Sequence, residues 1–159
     1  MGQRSDAMAL QFEKAFDDII AEVERASDSK WQAVCGPEAW TVAATAHHVA
    51  VQLPLEKEYI VAAAEGAPPP TYTWDDINRL NESRAAEHSA VSKANVLQYL
   101  RDGRASMGSY VRSLGDEQLD GKAPLALANG AEISAEQLIQ GGVLIEHATT
   151  HLASIRAAG

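Results

Sequence analysis

The chain has 159 residues, a formal net charge of −9 and a pI near 4.9. Nucleic-acid phosphates and anionic membrane surfaces would repel such a chain, so we expect neither as a partner. The charge leaves a small molecule or another protein open, and we predict a small-molecule substrate. The composition, 46% hydrophobic and 22% charged, is that of a folded globular protein. We expect one domain over residues 1–159, with residues 1–6 forming a frayed N-terminal arm.

The sequence contains no uncharged run of about 18 apolar residues and no apolar signal core near its start. Cys35 is the one cysteine, which excludes an intrachain disulfide and fits a reducing compartment. We therefore predict a cytoplasmic protein. A small buried side chain is a better interpretation of Cys35 than a catalytic thiol.

The first half of the chain contains two segments with helical periodicity. In residues 7–26, apolar side chains recur at intervals of three and four and form one stripe. A second helix is predicted over residues 41–65, with Thr41 as its N-cap and Gly66 at its end. Pro54 lies inside it and should kink the helix or split it, because proline lacks the N–H that a helix interior requires.

The second half contains two further helical segments. The third begins at Thr73, a candidate N-cap, and extends to Gly115, with a break near Ser92 as one alternative. A long connector over residues 116–133 contains Asn129-Gly130, a turn signal that also allows a small hairpin. The capping box of residues 134–137 opens the last helix, predicted to end near residue 156. These elements predict an all-α four-helix bundle with a long connector before its last helix.

Four of the five histidines occur in two groups, His47 with His48 and His147 with His151. A spacing of four places His147 and His151 on one helix face, and a histidine from a facing helix could complete a metal site with an open coordination position. The alternative is that these histidines only pack or interact with the helix dipole. The zinc protease motif H-E-x-x-H is absent, because Glu146 precedes His147.

Three stretches carry a resemblance to a known family. In "AWTVAATAHHVA", Trp40 precedes His48 by eight residues, which resembles the W-S-x-x-x-x-x-x-H helix of the DinB-like superfamily. "TWDDINRLNESRAAE" followed by "LGDEQLD" is similar to the middle of small DinB-like proteins. "IEHATTHLASIR" is similar to their closing helix, and the resemblance extends over residues 12–156.

This resemblance implies a four-helix bundle, commonly a homodimer, that binds a divalent metal through His48, His147 and His151. His47 would then point elsewhere and Trp40 would pack at the helix entrance. Zinc, nickel, iron and manganese all remain candidates, since imidazole suits several of them. Some relatives use a low-molecular-weight thiol as cosubstrate, and the resemblance therefore implies a metal-dependent enzyme that activates a thiol or a water. The alternative is a non-catalytic metal-binding or stress-response protein.

No residue of the sequence is assigned a catalytic role, and no organic cofactor is expected. Glu56 follows His48 by eight residues, about two helical turns, so it could orient an imidazole or act as an acid or base. A solvated position on the helix surface is its alternative. Tyr72 and Trp74 could line a pocket mouth or hold their loop against the bundle, and Asn81 is expected to have a local capping or packing role.

Overall fold

The computed structural model describes residues 2–159. The helices are α1 (Gln3–Arg25), α2 (Asp28–Gln32), α3 (Val42–Val51), α4 (Leu53–Glu65), α5 (Trp74–Glu87), α6 (Lys93–Ser113), α7 (Asp116–Asp120), α8 (Ala135–Gln140) and α9 (Ile145–Ala157). Two short antiparallel hairpins accompany them, β1 (Val34–Cys35) with β2 (Trp40–Thr41) and β3 (Lys122–Leu125) with β4 (Ala131–Ser134).

Four long helical elements form the bundle. Both α1 and α3 pack against α6 and α9, and α4, which follows α3, contacts α7, α8 and the second hairpin. In the predicted stripe of α1, Phe12, Phe16, Ile19 and Val23 are fully buried and Ile20 is partly buried. Helix α3 is covered on nearly all sides, since residues 42–50 are all buried. The predicted all-α four-helix bundle with a connector before its last helix is confirmed.

The N-terminus differs from the frayed arm predicted for residues 1–6. Helix α1 begins at Gln3 instead of residue 7, and Ser5 is fully buried. Arg4 explains the difference, because its guanidinium donates to Asp120 at 2.8 Å and to Glu136 at 2.7 Å. These contacts attach the first helical turn to the connector. Met1 lies outside the described residues.

Pro54 splits the second predicted helix into α3 and α4. The carbonyl of His48 accepts from the Gln52 N–H at 3.0 Å, and α4 then begins at Leu53 with the proline in its first turn. A proline is tolerated there because N–H groups of the first turn have no partner within the helix. The new axis carries Glu56 and Tyr59 towards the interior, where both are buried.

The last predicted helix is also interrupted, so its prediction as one element was wrong. Ser134 caps α8 as the capping box predicts, but α8 ends at Gln140 and α9 begins only at Ile145. The pair Gly141-Gly142 lowers helix propensity at this point. A Cβ on Gly141 would lie 2.8 Å from the Gln137 carbonyl oxygen, so the break also relies on the absence of a side chain.

The other predicted breaks follow the turn chemistry. Ser92 caps α6, which separates it from α5, and Asn129-Gly130 forms the turn of the β3–β4 hairpin with both residues at positive φ. Cys35 is completely buried, and burial raises the pKa of its thiol. Among residues 2–159, no helix combines the length and apolarity needed to cross a membrane.

The connector meets the bundle most closely at Gly121. A Cβ at this position would overlap the backbone carbonyl oxygen of Ala63 at the end of α4. We predict that Gly121→Ala lowers the free energy of unfolding by about 1–3 kcal/mol, because backbone on both sides must move apart. Chemical denaturation measures the change. Gly36→Ala is the matched control, since a Cβ there meets no atom within 4 Å, and an equal loss in both variants would contradict the prediction.

Candidate metal centre

The structure brings the three histidines predicted as ligands together between α3 and α9. His48 Nε2 and His147 Nε2 lie 3.0 Å apart, and His151 Nε2 lies 3.0 Å from His147 Nε2. One ring nitrogen from each residue falls within 4.8 Å of the other two. The i,i+4 spacing on α9 brings two of the rings together edge to face, 4.6 Å between centroids, and the packing of α3 against α9 supplies the third.

Two carboxylates lie behind the rings of α9. Glu56 Oε1 lies close to His147 Nδ1, at 2.6 Å. Glu38 Oε1 is 2.8 Å from His151 Nδ1 and accepts a hydrogen bond from it. The side chain of Glu56 is only 6% exposed and that of Glu38 only 7%. Carboxylates in this position commonly orient metal-binding imidazoles, so of the two alternatives for Glu56 the structure places it beside an imidazole instead of in solvent.

Sequence reasoning missed Glu38, which the β1–β2 hairpin presents to α9. Cys35 pairs with Trp40 across this hairpin, and Ala39 N–H donates to the Cys35 carbonyl at 2.9 Å. Ala39 adopts φ 58°, a left-handed conformation that costs energy for a residue with a Cβ. Gly36-Pro37 in the sequence indicates a turn before the helix of His48, but that signal does not indicate which side chain the turn directs inward.

The histidine rings cannot satisfy one another's hydrogen-bonding nitrogens. Burial lowers the pKa of His48 to about 2 and also lowers the pKa of His151, so both rings are neutral at pH 7. An ionised carboxylate only accepts, so Glu38 places the proton of His151 on Nδ1. The Nε2 atom of His151 is then an acceptor, and it lies 3.0 Å from His147 Nε2. His48 Nδ1 is buried without a partner among residues 2–159.

This donor set fits a divalent metal ion. Three imidazole nitrogens bound at 2.0–2.1 Å in tetrahedral geometry would be separated by roughly 3.3 Å, close to the 3.0 Å of two of the pairs. A cation between the Nε2 atoms would remove the repulsion of facing lone pairs. Burial raises the pKa of Glu56, an effect opposed by its contact with His147.

The remaining histidines lie outside the cluster. Trp40 packs its ring edge-on against His48 at 5.2 Å between centroids, in agreement with the packing role expected for it. His47 points away from the site and stacks on His88 at 3.9 Å. From its place in a polar stretch, apart from the other four histidines, His88 is predicted to be solvated; the structure instead packs it on His47, with its Nδ1 2.9 Å from the Arg84 carbonyl oxygen.

A cavity of about 130 Å³ adjoins the histidine cluster. It is lined by His48 and His147 together with residues of α4, α5, the second hairpin and the α8–α9 break. Trp74 lies at its edge and donates its indole N–H to the Leu127 carbonyl at 2.9 Å, so this residue both lines the cavity and connects α5 to the hairpin. Tyr72, the other aromatic residue that was considered for the pocket mouth, is 45% exposed. A larger apolar groove of about 530 Å³, between α3–α4 and α6, contains no histidine.

Comparison with known structures first establishes the fold. YfiT from Bacillus subtilis, described as a probable metal-dependent hydrolase with an unusual four-helix bundle topology, matches with a TM-score of 0.75 at 17% identity, over 98% of this chain and 86% of YfiT. A protein from Clostridium difficile 630 matches with a TM-score of 0.69 at 16% identity, over 98% of this chain and 95% of the Clostridium chain. A variant of the mycothiol-dependent maleylpyruvate isomerase matches with a TM-score of 0.73 at 12% identity, over all of this chain and 65% of the isomerase.

The sequence then establishes the family. The family model of the DinB superfamily matches residues 11–155, which is nearly the whole chain. The chain belongs to the DinB superfamily. A comparison with curated proteins gives no match.

The geometry makes a prediction about one tautomer. We expect His151 to carry its proton on Nδ1 in metal-free protein, because the Glu38 carboxylate accepts there, whereas free histidine favours Nε2–H. Long-range ¹H–¹⁵N NMR correlations of the ring distinguish the two forms. Glu38→Gln retains an acceptor and should preserve the Nδ1–H tautomer, whereas Glu38→Ala should lose it. An Nε2–H ring in the unsubstituted protein would contradict the prediction.

Proposed function

We propose that the chain is a metal-dependent enzyme acting on small molecules, with His48, His147 and His151 as the ligands of a divalent ion. The observation that carries the proposal is the convergence of three imidazole nitrogens beside a cavity, with two of the three pairs 3.0 Å apart. Three histidines leave a coordination position for a water or a substrate. The cavity reaches His48 and His147, so a small molecule in it would contact the cluster.

Each residue of the site has a definite task in this proposal. Glu38 and Glu56 hold the Nδ1 protons of the two rings on α9 and direct their Nε2 lone pairs to a common point. Trp40 covers one side of His48 and limits its ring rotation. A divalent ion, when bound, would supply a Lewis acid that lowers the pKa of a water or a thiol. Glu56 is proposed as a positioning residue, since its carboxylate faces His147.

Activation of a water and activation of a thiol each have a counterpart among the structural neighbours. YfiT is described as a probable metal-dependent hydrolase, which supports activation of water. The isomerase is described as mycothiol-dependent, which supports a low-molecular-weight thiol as cosubstrate and hence an S-transferase as a second candidate. Both reactions require the same open position beside the histidines. The cytoplasmic location and the homodimer remain predictions from the sequence and the family.

Metal content tests the ligand assignment. Protein purified without a histidine tag should bind about one equivalent of zinc, nickel, iron or manganese, as expected for one three-histidine site. His48→Ala and His147→Ala should each abolish stoichiometric binding. His88→Ala is the matched control, because His88 stacks on His47 outside the cluster and its loss should leave binding unchanged. Protein that stays metal-free after loading with each ion would refute the assignment.

Activity of the loaded protein tests catalysis separately. We expect either hydrolysis of small esters or amides, or conjugation of an electrophile to bacillithiol, mycothiol, glutathione or coenzyme A. The activity should disappear with a chelator and in His147→Ala, because both remove the activated nucleophile. Stoichiometric metal binding without activity in either assay would favour the non-catalytic alternative, a metal-binding or stress-response protein.

A further inference from the structure

A second, apolar cavity of about 290 Å³ adjoins the cavity beside the histidines. The two share four lining residues: Trp74, Leu127, Gly142 and Val143. The break between α8 and α9 and the β3–β4 hairpin therefore contribute to both. A molecule seated against the histidines could extend past Trp74 into the apolar cavity.

The cavity beside the histidines contains polar groups that the fold leaves unpaired. Tyr59 is 5% exposed, and its hydroxyl has no hydrogen-bond partner among residues 2–159. Asn81 Oδ1 is likewise buried and unpaired within that part of the chain. Both residues line this cavity. An unpaired buried hydroxyl or amide is costly, and a ligand that bonds to it removes the cost.

Gln52 adds a third polar group to the same wall. It is 7% exposed, and its Oε1 accepts from Arg84 at 3.1 Å. That bond fixes which way the amide faces and leaves its NH₂ group as the donor available to a ligand. The cavity thus presents a phenol, a carboxamide oxygen and a carboxamide NH₂.

In the metal-free protein, the charge of the lining selects against an anionic head group. No lysine or arginine of the described chain lines this cavity, and its one carboxylate, Glu56, contacts His147. Burial also raises the pKa of Tyr59, so its hydroxyl stays a neutral donor at pH 7. Neutral donors and acceptors in a buried wall favour an amide, carbonyl or hydroxyl over a carboxylate or phosphate.

The adjoining cavity is suited to an apolar group. Its side chains are aliphatic or aromatic with the exception of Gln137, and they include Leu125, Ile133, Leu138 and Val143. Apolar surface buried there would add binding energy without specifying orientation. Orientation would come from the polar wall next to the histidines.

We propose that the two cavities form one binding site for a small substrate with a neutral hydrogen-bonding head and an apolar body. The head bonds to Tyr59, Asn81 and Gln52 beside the histidines, and the body occupies the cavity behind Trp74. The assignment of this molecule as a substrate rests on the proposed function. Its binding does not, because none of these contacts requires a metal ion.

Hexanamide is the probe, since it joins a neutral amide to a short alkyl chain. We expect it to bind the full, metal-free chain with a dissociation constant on the order of 1 mM, as is typical of so few heavy atoms. In ¹H–¹⁵N NMR titrations the indole N–H signal of Trp74 should move. Acetamide should bind at least about tenfold more weakly because it lacks the apolar body, and hexyl phosphate likewise because its charge would be unpaired.

Tyr59→Phe tests the polar wall without disturbing the fold, since the hydroxyl that it removes is unpaired within residues 2–159. It should weaken hexanamide binding about five- to tenfold, the effect of one hydrogen bond. Tyr110→Phe is the matched control, because that hydroxyl bonds to Glu65 outside both cavities and its loss should leave the affinity unchanged. Equal affinities for hexanamide in the protein and Tyr59→Phe would overturn the proposal, as would equal or tighter binding of hexyl phosphate.

Absence of any hexanamide-dependent shift at Trp74 would also overturn this proposal. All titrations use chelator-treated protein, so they stay independent of the metal assignment. Hexanamide binding by a chain that fails to take up any ion would contradict the metal centre alone. Stoichiometric metal uptake without selective hexanamide binding would contradict the substrate class alone.

Discussion

Two buried carboxylates and three imidazoles determine what this part of the bundle can do. Glu38 fixes the Nδ1 proton of His151 and leaves its Nε2 as an acceptor 3.0 Å from His147 Nε2, while Glu56 lies 2.6 Å from His147 Nδ1. Nitrogen acceptors buried this close together repel one another unless a proton or a cation lies between them. The arrangement is costly as a structural cluster alone, and this cost is the physical argument for a metal centre.

Interruptions of regular structure place these groups. Pro54 starts a new helix that turns Glu56 and Tyr59 inward, and Gly141-Gly142 separates α8 from α9 so that Gly142 and Val143 line the cavities. The β1–β2 hairpin carries Glu38 to α9 at the expense of a left-handed Ala39. Strain of this kind persists where surrounding contacts over-determine it, which is common at functional sites.

Membership of the DinB superfamily accounts for the fold, whereas the chemistry depends on individual side chains. The structural neighbours, at 12–17% identity, share the fold with this chain. Beyond the fold, the chemistry of this chain depends on the lining of the cavities next to the histidines. In this chain that lining is neutral and polar near His48 and His147, and apolar behind Trp74.

The sequence by itself determined the bundle, because apolar periodicity, N-caps and turn residues are local signals that survive without tertiary contacts. The i,i+4 spacing of His147 and His151 is visible along the chain, and the resemblance to the DinB-like superfamily implied His48 as the third ligand. It could not assign Glu38, Tyr59 or Asn81, whose importance depends on which neighbours they meet. Glu38 lies more than a hundred residues from His151, and only the packing of α3 and the first hairpin against α9 brings the carboxylate to the ring. Tertiary structure decided those contacts, because an unpaired hydroxyl or carboxylate is costly only when it is buried. Burial in turn arises only when distant segments pack together and exclude water.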